Sequence, residues 1–242
     1  MSLLTIVEDA CNEIGIPQPT TVIANTDEQI AKLLALSNRG GRAYARDFDW
    51  TVLERLHTFT TTASTSDYAL PSDYSRLLRD TEWDRANKRP LIGPVTRQTW
   101  ETIKSGLIGS GIVGRRYQIV RSSSTTSRIM AIDPTPSTTG DTLAYWYVST
   151  NWCSDSAGAT PASAWAADTD VPLLNSDLLT LDLVVRYKRS KGLEFSSEAD
   201  ELMQLFTLLS GQDRPAPVIN MASRNPFRLL DETNLPESGL TG

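Results

Sequence analysis

Between Leu174 and Leu209 the apolar residues recur at helical spacing twice in succession. Leu174, Leu178, Leu181 and Val185 form one stripe. Ser176 stands where a cap is needed, and Asp177 falls in the first turn. Arg186, Lys188, Arg189 and Lys191 fill the last turns, and Gly192 follows. Acid at the start, base at the end and a glycine beyond is the order that a helix dipole and a left-handed stop favour. The chain then restarts. Ser197 and Asp200 have capping-box spacing, and Ala199, Leu202, Met203, Phe206 and Leu209 form a second stripe, closed by Gly211 and Pro215. Neither stripe is stable in water. Each helix needs the other, and the pair needs a second layer.

The second layer lies at the other end of the chain. From Ser2 to Ile14, Leu3, Val7, Ala10, Cys11 and Ile14 keep helical spacing, and Gly15 with Pro17 ends the run. Thr26 and Gln29 have capping-box spacing, and Ile30, Leu33 and Leu34 lead on to Tyr44 and Phe48. Ser37 and Gly41 share a face where small side chains would admit a second helix. The reading is an α+β protein. Residues 1–50 and 172–211 form a helical bundle from two terminal hairpins. Residues 51–171 are a β-rich insertion, and 212–242 an extended C-terminal tail.

Within the insertion, residues 52–61 read as a strand, and Thr60 to Ser66 as a Ser/Thr-rich turn. Asp67 to Leu70 can return as a short antiparallel strand before Pro71. Residues 72–85 suit a short helix or a strand. Arg89 to Ile92 reads as a strand, and Thr96 to Lys104 as a short helix. Arg116 to Arg121, Arg128 to Ile132 and Thr142 to Thr150 are further strands. The last is apolar on both faces, which predicts a central position or cover by helices. Residues 153–170 read as a long Ser/Ala/Asp loop, whether binding element or mobile segment.

Composition excludes more than it assigns. The net charge of -6 leaves no basic excess for a general nucleic-acid binder held by phosphate contacts. A charged leader region is absent, and no run approaches the ~20 apolar residues of a membrane span, so neither signal peptide nor membrane contact is expected. Cys11 and Cys153 suit reduced thiols. Gly109, Gly111 and Gly114 match GxGxxG, with Asp133 downstream, but they follow a helix and precede a strand, the reverse of a nucleotide fingerprint. The expectation is a mobile loop of Gly106, Gly109, Gly111, Gly114, Arg115 and Arg116 projecting toward a partner or DNA. His57 has no second histidine for a metal cluster. Asp80, Glu82 and Asp84 alternate as on an exposed edge or turn. Asp168 and Asp170 suit a solvated loop better than a cation site. No catalytic, cofactor or metal residues are expected.

The tail combines Pro215, Pro217, Pro226 and Pro236 with Val218, Ile219, Met221, Phe227, Leu229 and Leu230. The prolines oppose regular structure, while a merely solvated linker would be more polar. These six apolar residues are the expected anchors of a segment that orders on another subunit.

Three stretches carry a resemblance: LLTIVEDACNEIGIPQPTTV, DEQIAKLLALSNRGGRAYARDFDW and SDYALPSDYSRLLRDTEWDRANKRPLIGP. Over about residues 1–105 the chain resembles the head–tail adaptor (connector) proteins of tailed bacteriophages, including the tail-tubular A type. The C-terminal hairpin agrees in pattern only. The resemblance implies a non-enzymatic virion protein of the neck, made in the host cytoplasm and assembled as a dodecameric ring. It also implies the portal protein and tail or nozzle proteins as partners, and DNA passing through the lumen. An acidic lining would let DNA slide. Another neck ring or tail-completion protein is the second reading, and an unrecognised hydrolase the third.

Overall fold

A computed structural model describes residues 1–106, 114–122 and 127–213. The chain runs α1 (Leu3–Ile14), α2 (Glu28–Asp47), a 3-10 turn at Thr51–Leu53, β1 (Glu54–Thr60), β2 (Asp67–Ala69), β3 (Tyr74–Leu77), β4 (Trp83–Asp84), β5 (Arg89–Pro90) and α3 (Arg97–Lys104). It continues through β6 (Arg116–Arg121), β7 (Arg128–Asp133), β8 (Thr142–Ser149), β9 (Cys153–Ser154), β10 (Pro161–Ala162), β11 (Val171–Pro172), α4 (Ser176–Lys191) and α5 (Ser196–Asp213). The class is α+β, as the sequence indicates.

Helix ends follow cap chemistry, in places one residue away from the sequence reading. Ser2 caps α1, and Gly15 closes it at φ +79°. Asp27, not Thr26, caps α2 by accepting from the Gln29 amide at 2.7 Å. Asn175, not Ser176, caps α4, accepting from the Asp177 and Leu178 amides. At α5 the Glu194 carboxylate accepts from the Ser196 amide, so the helix opens ahead of the Ser197–Asp200 pair.

Helix α4 is the centre of the helical layer, with α1, α2 and α5 all packed against it. It is therefore buried almost all round, through Leu178, Leu179, Leu183, Val184, Val185 and Tyr187. The single stripe read from the sequence is too narrow. Leu181, counted in that stripe, is only half-buried, because it faces a cleft between α1 and α5. Leu183→Ala should cost ~2–5 kcal/mol in a urea melt, and Leu181→Ala clearly less. Equal losses would mean that Leu181 is packed as fully as Leu183 and faces no cleft. Asp182 lies inside this layer, accepting from Tyr44 Oη at 3.1 Å and Arg186 Nε at 2.5 Å. Burial raises its pKa, and these partners oppose the rise.

Strand β8 is central, as its two apolar faces predict. It pairs antiparallel with β1 on one side and with β3 and β4 on the other, and β4 also pairs with β5. Residues 74–77 and 83–84 are thus strands. A second sheet runs β2–β7–β6. Strand β2 does not return onto β1 but pairs with β7, because the Ser/Thr segment carries the chain from one sheet to the other. Thr61 donates to Asp141 O at one end of that crossing, and Ile132 donates to Ser66 O at the other. Tyr117, Met130, Ile132, Leu143, Tyr145 and Tyr147 form the core of the β-rich part. Val148, on the opposite face of β8 from Tyr147, joins the helical core instead.

The 153–170 segment is not a structureless loop. β9 pairs with β10 and β11 in a small sheet. Trp152 and Trp165 pack edge to face at 4.8 Å inside the helical core. Their targets are the small residues of α2. The Trp165 indole donates to Ser37 Oγ at 2.9 Å. A Cβ at Gly41 would lie 2.3 Å from the Trp152 ring. That stripe of small residues receives indoles, and only Gly40 admits a helix, with Asp182 of α4 against it.

Candidate interaction surfaces

The residues expected to bind a partner through the glycine loop divide in the structure. Gly106 (φ +77°) follows α3, whereas Gly109 and Gly111 lie outside the described residues. Gly114 sits against Ile92, and Asp133 accepts from Lys104 Nζ at 2.6 Å. Arg115 does not project. Its guanidinium donates to Asp84 at 3.0 Å and to Asp141, and only 14% of its side chain is exposed. Arg116 is half-buried in β6, paired with Asp133 of β7.

Of the alternating carboxylates, Asp80 is exposed in a turn at φ +62°, as expected, but the other two are not on an exposed edge. Glu82 and Asp84 are buried. Glu82 accepts from Tyr117 Oη at 2.6 Å, and Asp84 from the Asn87 amide and side chain at 2.9 Å. Burial and the Glu82 contact push the Tyr117 phenol far above its usual range. Such carboxylates are consumed by structural donors. Asp168 accepts from the Val22 and Ile23 amides at 3.0 and 2.8 Å, and Asp170 from the Ala166 and Ala167 amides at 2.7 and 2.9 Å. These acids tie the connection down through backbone amides rather than stand free in a solvated loop. His57 packs on Phe59 and Tyr145, and burial lowers its pKa. Burial pushes the Cys11 and Cys153 thiols up to about 11 and about 12. Among the described residues, no group of three or more His, Cys, Asp and Glu side chains is placed to hold a metal ion. No described helix is long and apolar enough to cross a membrane.

The outward-facing apolar side chains are more informative. In the β1–β8 register, Leu56 lies directly opposite Trp146, and Trp83 of β4 opposite Ala144. Positions 144 and 146 share a face of β8, so these side chains sit together. Leu56 is 44% exposed, Trp146 41% and Trp83 37%. Ala144 is buried although it belongs to neither core, which the flanking indoles explain. Helix α5 offers a second surface. It has no fully buried residue, and Met203 is 71% exposed. The C-terminal end of α5 is tied to the turn ahead of β1. There the Asp213 carboxylate accepts from the Thr51 amide and hydroxyl at 2.8 and 2.9 Å, just ahead of exposed Val52 and β1.

Residues Val218, Ile219, Met221, Phe227, Leu229 and Leu230, expected to dock on a partner, lie outside the described residues. What the sequence reading missed is the sheet face. Its one signal was Trp146 inside a strand whose two faces are both apolar, and such a strand normally needs cover on each.

No curated protein matches the chain. The family described as SU10 adaptor protein matches residues 1–218, nine-tenths of its length. That family is a structural one, not an enzyme family. The chain belongs to the SU10 adaptor protein family and is a structural adaptor protein of a bacteriophage.

Proposed function

We propose that this adaptor works at the neck of the virion, as a ring between the portal and the tail through which DNA passes. The helical segments 1–50 and 172–211 would act as one layer carrying the 51–171 insertion, and the 212–242 tail would dock on a partner. The tail-tubular A type of short-tailed phages is the finer assignment within this reading. The observation that carries it is the placement of the exposed apolar side chains. Leu56, Trp83 and Trp146 gather on one sheet face, and Met203 and Leu208 stand out from α5, the last helix before the tail. Apolar patches rimmed by polar residues mark protein contacts. A protein built from such surfaces, with its buried carboxylates tied up by structural donors, is suited to assembly. The net charge of -6 favours a lumen that DNA slides through without being gripped. Imaging of the intact virion tests this directly. Density for this chain in a ring touching the portal is the expected result. A ring elsewhere in the neck would favour a tail-completion role, and density outside the neck would overturn the proposal.

A further inference from the structure

Arg39, Arg42 and Arg46 form one row along α2 and line a shallow cleft with Ser75, Thr150 and Ser163. All three are exposed, and among the described residues none enters an ion pair. Three exposed guanidinium groups in a row, outside every ion pair among the described residues, offer an anionic partner a ready set of charge-assisted hydrogen bonds. Helix geometry places them on the outside of the layer. Gly40 and Tyr44 are the α2 residues that meet Asp182 of α4. At 3.6 residues per turn, the three arginines are rotated roughly 120–180° away from that contact.

The opposite side of the same layer carries the complementary charge. A cleft of about 440 Å³ between α1, α4 and α5 is lined by Asp9, Glu13, Asp177 and Glu201, with Thr180 and Leu181 at its floor. That volume would suit a small ligand, but ligand sites are predominantly apolar, and this lining holds four carboxylates. Its α4 residues Asp177, Thr180 and Leu181 are rotated roughly 100–160° from Asp182, so the cleft faces away from α2. Glu13 feels its acidic neighbours. Burial, and then Glu201, Asp9 and Glu198, raise the Glu13 pKa, with Lys188 opposing. Cations brought in by a partner would relieve that repulsion.

We infer that the arginine row of α2 docks into the carboxylate cleft of a second copy of this chain. One copy carries both surfaces on opposite faces, so the contact is head-to-tail. A heterologous contact of this kind builds a ring when its rotation closes. The inference rests on the ring reading and supplies the surfaces that would join its subunits. It gives a partner both to the arginine row and to the carboxylates around Glu13.

Charge exchange is the test, read by analytical ultracentrifugation, with circular dichroism as the folding control. Arg39→Glu/Arg42→Glu/Arg46→Glu and, separately, Glu13→Lys/Glu201→Lys should each weaken self-association by roughly 100-fold, because each sets like charges face to face. An equimolar mixture of the two should assemble again. One junction in that mixture is then wild-type, and the other has both charges reversed. Raising the salt should weaken the wild-type assembly. Wild-type rings that both variants also form would overturn the inference and leave the ring reading standing. So would a triple-arginine variant that keeps its rings but loses binding to duplex DNA, since the row would then contact phosphates. A wild-type chain that never self-associates would overturn the ring reading itself.

Discussion

Gly41→Val should destabilise the protein by at least ~3 kcal/mol, more than typical overpacking of a core. A Cβ at this position would sit 2.3 Å from the Cδ2 and Cε3 atoms of Trp152. The indole has no room to retreat. It is fully buried, packs edge to face on Trp165 at 4.8 Å, and donates to Ser163 O at 2.9 Å. Trp165 is itself fixed by Ser37 Oγ and by Asn38 Oδ1, which accepts from its backbone amide. Moving Trp152 therefore disturbs α2, the 153–170 connection and the helical core together. Alanine gains up to ~1 kcal/mol over glycine inside a helix, which offsets only part of this cost. The control is Gly211→Ala in α5, where nothing lies within 4 Å of a new Cβ. It should be neutral or stabilising by up to ~1 kcal/mol. A loss of a few kcal/mol is a large share of the ~5–15 kcal/mol typical of a folded domain. Chemical denaturation of the two variants beside wild type checks the contrast. Gly41→Val within ~0.5 kcal/mol of wild type would mean that Trp152 is not packed against α2.

The same glycine marks the boundary between what local sequence specifies and what it does not. Ser37, Gly40 and Gly41 announce a close approach, because small residues are what such an approach requires. They do not say what approaches. The answer, Trp152 and Trp165, lies far along the chain in a stretch whose composition suggests only a loop. The strands at Arg116, Arg128 and Thr142 are legible because short runs rich in apolar residues, bounded by turn residues, are local signals. The partner of β2 was not, because a short strand's edge fits many others and topology chooses among them. Helix α4 shows a third limit. One stripe is visible in its sequence, yet three helices pack around it, and burial by a third neighbour leaves no periodic trace. Charges misled in the opposite direction. Asp84 and Arg115 read separately as an exposed edge and a projecting loop, and the fold brings them together as a partly buried pair at 3.0 Å. The sheet face of Leu56, Trp83 and Trp146 is assembled from three strands and is invisible to any window of sequence. The tail lies outside the described residues, and its docking role rests on sequence alone, on apolar residues among prolines that oppose any regular core of their own.

Deleting residues 215–242 should leave a folded protein that no longer joins to portal-bearing heads. Folding should survive because the last described contact of α5 lies before the cut. Asp213 still accepts from the Thr51 amide and hydroxyl at 2.8 and 2.9 Å. The urea midpoint should therefore shift by no more than ~0.5 kcal/mol in stability, the range of surface changes away from special features. Attachment should fail for an energetic reason. Fixing each backbone residue costs ~1–2 kcal/mol, and four prolines leave the segment few backbone hydrogen bonds with which to offset it. The compensation has to come from side chains received by a partner. Phe227, Leu229 and Leu230 are the densest set, and each contributes roughly 1.5–3 kcal/mol when buried. On the ring reading proposed above, one tail would bind weakly, and a ring of tails would bind through effective concentration, which multiplies affinity by ~10²–10⁴ for linked sites. That arithmetic makes loss steep. Phe227→Ala alone, repeated in every copy, should already reduce attachment, and Leu229→Ser/Leu230→Ser should reduce it further. The measurement is sedimentation of purified heads mixed with each variant, scored for bound adaptor. If the truncated chain sediments with heads as fully as wild type, the tail is not the docking segment, and the sheet face of Leu56, Trp83 and Trp146 is the next surface to vary.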